Sequence, residues 1–340
     1  MAAYFLAANR GKRSAAIDFA TEEGAQLVRR LAEGADVVVE NFKVGGLSKF
    51  GLDAASLHSV NPRLIIASIT GFGQDGPYAA RAGYDYIIQA MGGLMSITGR
   101  PDDQPGGGPM RVGVAVADLS TGMYTAVAIV SALYRREKTG EGAYIDMALF
   151  DTQLAMLANQ ASNALISGKD PPRQGNTHPN IVPYQPFDAA DQPIIIAVGN
   201  DGQFVRLAQI CGHSEWANDD RFATNAARVA NRDEIVRLIA DSIRTRPASE
   251  WLERLESAGV PAGPINTVTQ ALEDIQAQHR GMVRMLAGSP AVGSPVRMDG
   301  ERADSDLRPP ALGEHTSEIL TELEIGPAEL QRLREEGVIG

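Results

Sequence analysis

Arg111-Val-Gly-Val-Ala-Val-Ala-Asp-Leu-Ser-Thr-Gly-Met-Tyr-Thr-Ala-Val-Ala-Ile-Val-Ser-Ala-Leu-Tyr134 is the stretch on which the reading of this chain turns. Residues 112–117 form a short valine-rich run and read as a buried strand. The second part puts Leu119, Met123, Ala126, Val127, Val130, Leu133 and Tyr134 on one helical face, an apolar stripe of the kind that faces a core. Arg135, Arg136 and Lys138 follow at the negative end of the helix dipole, and Gly140 is a stop signal. Asp118 then stands alone at a strand-to-helix turn. In open α/β sheets, ligands bind at that carboxyl end of a strand. Two readings of Asp118 compete. It is a helix N-cap, worth ~1 kcal/mol over alanine, or it is a catalytic carboxylate.

Outward from this stretch the pattern is α/β. Residues 14–19, 36–40, 64–70 and 143–149 read as strands. Thr21 is a good N-cap, with Glu22 and Glu23 in the first turn and Leu27, Val28 and Leu31 as the stripe of a helix ending near Gly34. Strand, helix and strand in this order build parallel sheets. A further helix is expected over residues 151–166.

A length of 340 residues suits two domains. Residues 1–170 are assigned to a large domain, 171–190 to a proline-rich linker, and 191–288 to a smaller α+β domain. Residues 289–310 read as a second Pro/Gly-rich linker, and 311–340 as two helices returning to the large domain.

The net charge of −11 speaks against nucleic acid as a partner, because that binding needs basic surface. One cysteine, Cys211, excludes a disulfide framework and a cysteine zinc cluster, and suits a cytoplasmic location. His58, His178, His213, His279 and His315 show no metal-like spacing, so no metal is expected. The apolar opening, residues 1–8, is too short for a signal core. No run reaches the ~18 uninterrupted apolar residues of a membrane span, so no membrane is expected either.

Several motifs carry a functional and a bland reading side by side. Gly71-Phe-Gly-Gln-Asp-Gly76 matches the dinucleotide fingerprint formally, but Pro77 follows at once where a helix must open. It reads as a tight turn at a sheet edge. Asn9-Arg-Gly-Lys-Arg-Ser14 is a solvated turn or a phosphate cradle. Glu40-Asn-Phe-Lys-Val-Gly-Gly-Leu47 ends a strand with glycines that allow close approach of a ligand. Gly199-Asn-Asp-Gly202 is a turn, or a source of backbone N–H donors.

Taken together, these pieces resemble the class III coenzyme A transferases. The resemblance is carried by Asn9–Ser14, Asp36-Val-Val-Val-Glu-Asn-Phe42, Ser68-Ile-Thr-Gly-Phe-Gly-Gln-Asp-Gly-Pro77, Gly83-Tyr-Asp85, Val116-Ala-Asp-Leu-Ser-Thr-Gly122, Gly259-Val-Pro-Ala-Gly-Pro264 and Pro309-Pro-Ala-Leu-Gly-Glu-His-Thr316, in the family's order. It implies that Asp118 is a nucleophile. It implies CoA contacts from Asn9, Arg10, Lys12, Arg13, Asn41, Lys49 and Tyr84, with CoA as co-substrate and no bound cofactor. It also implies a Rossmann-like large domain and a homodimer of interlocked rings. Family members carry several tens of residues, including a first βα unit, before the stretch that starts here near Tyr4, so this sequence is expected to lack that segment.

The chemistry expected is transfer of CoA from an acyl-CoA to a carboxylic acid. A carboxylate is ionised at neutral pH and needs no base to attack a thioester. Gly199, Asn200 and Gly202 are the first candidates for oxyanion donors. The 175–185 linker resembles members that use dicarboxylic acids, where Arg173 or His178 would hold the second carboxylate or lie at the surface. Two alternatives are a 2-methylacyl-CoA racemase, with Asp85 as base because Tyr84 replaces the racemase histidine, and an inactive CoA-binding or scaffold protein.

Overall fold

The computed structural model describes residues 2–286 and 288–340. The chain divides into two compact units. The first holds residues up to Met95, Arg111–Pro171 and Ile275–Gly340; the second holds Ser96–Met110 and Pro172–Asp274. Residues 96–110 therefore fold with the second unit, and 275–288 with the first, unlike the boundaries drawn from composition.

In the first unit, α1 (Ala3–Ala8) precedes α2 (Glu22–Glu33), whose N-cap Thr21 accepts the Gly24 N–H as expected. Then come β1 (Val37–Glu40), α3 (Ala54–Val60), β2 (Ile65–Thr70), α4 (Asp85–Met91), the short α5 (Leu94–Ile97), whose last two residues belong to the second unit, α6 (Val116–Thr139) and β3 (Ala143–Ala148). The three strands pair in parallel in the order β1-β2-β3. The architecture is thus mixed α/β with a parallel sheet. The helix expected over 151–166 is two, α7 (Leu149–Met156) and α8 (Ala158–Ser167), broken where Ala158 takes φ +47°.

Residues 14–19 do not join the sheet. Ile17 forms a single antiparallel bridge to Ile339. The neighbouring backbone is satisfied by the chain's end: Asp18 N–H donates to Val338 O, Ala16 N–H to Thr316 Oγ1 and Gly340 N–H to Ala16 O. Irregular partners have taken the bonds a strand neighbour would need.

The second unit starts its sheet with β4 (Tyr184–Asp188), inside the segment expected to be a linker. It continues with β5 (Pro193–Ala197), α9 (Asp201–Ile210), α10 (Asn225–Ala230), α11 (Arg232–Ile243), α12 (Ala248–Ser257), β6 (Ala262–Pro264) and α13 (Val268–Glu273). The sheet is antiparallel, β4-β5-β6, over a core that includes Ile194, Ile196, Phe204, Ile239 and Trp251.

Back in the first unit, α14 (Ile275–His279) leads to two hairpins, β7 (Val283–Leu286) with β8 (Ser289–Val292) and β9 (Arg297–Met298) with β10 (Glu301–Arg302). The second expected linker is therefore largely hairpin. Helices α15 (Thr316–Glu322) and α16 (Pro327–Glu335) then pack Leu320, Leu330 and Leu333 on Leu27 of α2.

Two expectations for the central stretch are overturned. Residues 112–115 are not a strand, and the helix begins at Val116. The Val112 amide is taken by Gln89 of α4 instead, and the Ala117 amide by Asp85. The apolar stripe is also not buried: Val127 and Tyr134 are 66% and 65% exposed, and Leu119, Met123 and Val130 are open with them. The buried face is Ala117, Ser120, Thr121 and Thr125. Small side chains let α6 lie close to α7, where Thr121 Oγ1 and Thr152 Oγ1 meet at 2.6 Å. The hydroxyls of Ser120, Thr121 and Thr125 each bond a carbonyl one turn back, which removes the cost of burying them. Among the described residues α6 alone is long and apolar enough to cross a membrane, although a packed helix passes the same test.

The C-terminal end of α6 fixes where its start lies. Arg136 donates to Asp36 O, Asp36 Oδ1 and Arg63 O, at the amino ends of β1 and β2. The helix ends at Gly140, φ +78°, as the sequence predicts. Its first turn, with Asp118, therefore lies at the carboxyl side of the sheet.

Candidate active site

Two glycines build the site's floor. After β2 the chain turns through residues 71–80 and returns at Gly83. A Cβ on Gly71 would sit 2.5 Å from Gly83 Cα, so only glycine permits this crossing of backbones. The turn belongs to β2, the middle strand, and not to a sheet edge as the sequence suggested. The crossing delivers Tyr84 and Asp85 to the start of α4, at the carboxyl end of the sheet.

Asp118 is the third residue of α6 and not its cap. The N-cap position is Ala115, whose side chain bonds nothing. The capping comes from another helix: Asp85 Oδ1 accepts the N–H of Ala117 at 2.8 Å and of Asp118 at 3.4 Å. Ala117 itself is fully buried, packed with Ile88, Leu149, Ile69 and Phe72. Among the described residues nothing donates a hydrogen bond to the Asp118 carboxylate, which faces solvent from the first turn. Partial desolvation by the surrounding chain first, and the charge of Asp85 second, raise the exposed Asp118 carboxyl above the usual aspartate value. A carboxylate without bonded partners, at a helix N-terminus over the end of a parallel sheet, is suited to attack and to being acylated.

The expected CoA contacts fall into three groups. Asn41 and Lys49 lie on the loop after β1, which borders a cleft of about 290 Å³ lined by Glu40, Phe42, Lys43, Gly45, Ser48 and Tyr144. Lys49 lies over the Phe50 ring at 4.5 Å, and its exposed ammonium remains available to solvent. The basic cluster packs against the C-terminal segment. Arg13 is bonded to Glu318 at 2.8 Å and Glu322 at 2.5 Å, both of α15, so its charge is already matched. Arg10 faces Asp304 at 3.9 Å, and Lys12 donates to Asn9 Oδ1. Tyr84 is exposed beside Asp85, at the N-cap of α4.

Gly199, Asn200 and Gly202 open α9 in the second unit. There the Gly199 N–H donates to Gln203 Oε1 at 2.6 Å, and Asn200 Oδ1 accepts the Gln203 N–H. These groups complete a helix start, so the Gly199 amide is not a free oxyanion donor. Arg173 is held by Ser96 O and Asp102, and His178 Nδ1 accepts the Asn180 N–H. Neither is an unengaged anchor for a second carboxylate. Among the described residues no three His, Cys, Asp or Glu side chains gather as a metal site.

Sequence reasoning missed two residues. Gln89 is fully buried one turn after Asp85 and bonds both it and the Val112 N–H. The four-residue spacing was the available signal. Gln153 of α7 is fully buried against Gly92 with both amide atoms unbonded, and nothing in the sequence marks it.

With this geometry in hand, the chain's relatives are informative. Residues 1–316 match CoA-transferase family III. The succinate–glutarate CoA-transferase of Agrobacterium fabrum is 51% identical, over 95% of this chain and 81% of its own. The acetyl-CoA:oxalate CoA-transferase of Acetobacter aceti is 40% identical, over 87% of this chain and 76% of its own. The crystal structure of a CAIB/BAIF family protein from Brucella suis superposes with a TM-score of 0.83 at 53% identity, covering 95% of this chain and 84% of that one. The chain belongs to CoA-transferase family III, and is a class III CoA-transferase.

Proposed function

We propose that the chain moves CoA between dicarboxylic acids through Asp118. The observation that carries this reading is the unbonded Asp118 carboxylate at the start of α6. Asp118 attacks the thioester carbonyl of the donor; the C–S bond breaks and CoA leaves as thiolate, giving a mixed anhydride. The thiolate attacks the aspartyl carbonyl, which yields an enzyme thioester and frees the donor acid. The acceptor carboxylate attacks that thioester and releases the thiolate again. The thiolate then attacks the acceptor's carbonyl, giving the new acyl-CoA and restoring Asp118. Every step consumes one nucleophile and releases one leaving group, so no external proton or metal enters the balance.

Each attack builds an oxyanion, for which one preorganised donor is worth ~3 kcal/mol. Water must stay out, because it would hydrolyse the anhydride. The cleft after β1, with Asn41 and Lys49 at its border, is read as part of the CoA site. Dicarboxylates are favoured because the relatives are named for succinate, glutarate and oxalate. The racemase alternative loses support, since Asp85 already accepts three N–H groups and is a poor candidate base. The first unit is read as Rossmann-like, and the protein as an interlocked homodimer; the open apolar face of α6 supports a partner there.

The test is a cross-screen of succinyl-CoA against glutarate, oxalate and mesaconate, followed by mass spectrometry of the CoA products, with Asp118→Asn alongside. Exchange by the native chain and none by the variant is expected. Exchange that survives in Asp118→Asn would end the assignment.

A further inference from the structure

Asp85 and Gln89 take no part in the chemistry above, yet they form a closed set of bonds around the first turn of α6. Asp85 Oδ1 accepts the Ala117 and Asp118 amides, and its Oδ2 accepts Gln89 Nε2 at 2.7 Å. Gln89 Oε1 accepts the Val112 N–H at 2.9 Å, and Nε2 lies 3.5 Å from Val114 O. One turn of α4 thus pins the strap that leads into α6 at both ends. Gln89 is fully buried, so its orientation is fixed by packing as well as by bonds.

A helix start leaves backbone N–H groups without partners. Ala115 cannot serve them, and an acid at the third helical position ordinarily turns back toward the cap. Here the acid of α4 takes the Ala117 and Asp118 amides, which an N-cap side chain would ordinarily serve, and Asp118 does not turn back. Asp118 is left with its backbone fixed and its carboxylate unspent.

We infer that Asp85, held by Gln89, is a positioning residue for the transferase: it caps α6 where the Ala115 side chain cannot, and so fixes the turn on which the Asp118 carboxylate stays free and aimed at the thioester. This inference rests on the reading of Asp118 as nucleophile. Charge adds to geometry. Two carboxylates share the first turn, and acylation of Asp118 removes one of the two charges. The other ionisable groups on elements packed against α6 are Tyr86 of α4, Asp151 of α7, and Tyr144 and Asp146 of β3; the rise of the Asp118 carboxyl traces to burial and to Asp85.

The experiment compares Asp85→Ala, Asp85→Asn and Asp118→Asn in the full chain. It measures kcat, the acyl-CoA KM, and kcat/KM against pH. Asparagine keeps one acceptor for the amides but drops the charge and sets its NH2 against Gln89 Nε2, so the bond to Gln89 is lost. Loss of aim of about 1 Å is worth about 100-fold in rate. Asp85→Ala is therefore expected to lose about 100-fold in kcat, with the acyl-CoA KM little changed. Asp85→Asn keeps the amide bonds without the Gln89 bond, so it is expected to recover part of the rate lost in Asp85→Ala, with its acid limb moved to lower pH. If Asp85→Ala keeps kcat within a few-fold, the inference is overturned. If Asp85→Ala fails to fold, the limb of Asp85→Asn decides, and an unmoved limb overturns it. Asp118→Asn separates the two ideas: an active Asp118→Asn sinks the nucleophile, whereas a dead one beside a normal Asp85→Ala sinks only the clamp.

Discussion

Gly71 and Gly83 cross with their backbones in contact: a Cβ on Gly83 would lie 2.3 Å from Gly71 Cα. The contact joins the end of β2 to the start of α4, and α4 carries the acid that holds the turn bearing Asp118. Neither backbone can yield cheaply, because each is anchored. Phe150 N–H donates to Gly71 O, and α4 is bonded to α6. Gly83→Ala should therefore cost about 1–3 kcal/mol by overpacking. It should also lower kcat by moving Asp85. Thermal unfolding and steady-state kinetics check this together; an alanine variant with unchanged melting and rate would show that the crossing relaxes freely.

Asp118→Asn separates the chemical role of Asp118 from any structural one. Asp118 makes no side-chain cap, so no bond is lost. The variant also removes a like charge from beside Asp85. Transfer should vanish while the melting temperature at neutral pH holds or rises slightly. A clear fall in melting temperature would mean that the carboxylate has a structural partner.

The pH dependence follows from the same pair. The reactive form is the carboxylate, and its carboxyl is raised above the ordinary aspartate value. The acid limb of kcat/KM should therefore lie above the ~3.9 of a free aspartate. For stability the sign is opposite. A raised folded-state value favours the protonated chain, so the contribution of Asp118 is present at low pH and is lost as pH rises through that value. Asp118→Asn should narrow the stability gap between acid and neutral pH, which denaturation at several pH values would measure.

Much of this was legible in the sequence, and what was not has a common cause. Thr21, Gly140 and the runs that became β1, β2 and β3 are local signals, and locally they hold. Residues 14–19 and 112–115 have strand composition but find no strand beside them. Amides of the first go to the chain's end, and the Val112 amide of the second goes to Gln89, partners hundreds or tens of residues away in sequence. Asp118 could be picked out as a lone acid in an apolar element. That Asp85 and not Asp118 caps α6 depends on the Gly71–Gly83 crossing, which no periodicity reports. The face of α6 was misassigned because its buried residues are small and hydroxylic, with their polarity satisfied inside the helix.

Within the basic cluster the structure separates charges that the sequence treats alike. Arg13 is matched by Glu318 and Glu322, and Glu322 is correspondingly held below the usual glutamate value by that bond. Arg13→Ala should weaken the docking of α15, seen as a lower melting temperature, and leave the acyl-CoA KM nearly unchanged. Lys49→Ala should do the reverse, because among the described residues no acid pairs with its ammonium, and phosphate contacts are charge-assisted and salt-sensitive. A KM that rises for Arg13→Ala and not for Lys49→Ala would exchange their roles.

The open stripe of α6 yields the last prediction. Leu119, Met123, Val127, Val130 and Tyr134 expose a continuous apolar face along a helix whose other side is packed. Apolar patches of this kind on soluble proteins mark association surfaces. A second copy of the chain is the partner that the proposed homodimer supplies. A lysine at Val127 or Val130 would place a charge in that contact, where burying it unpaired is costly. The side chain is mostly exposed within one chain, so the substitution should leave the fold of the single chain intact. Light scattering should then give a dimer mass for the native protein and a smaller mass, or loss of soluble protein, for Val127→Lys. A native-like dimer from Val127→Lys and Val130→Lys alike would remove this face from the interface and return α6 to a surface element whose apolar stripe has another use.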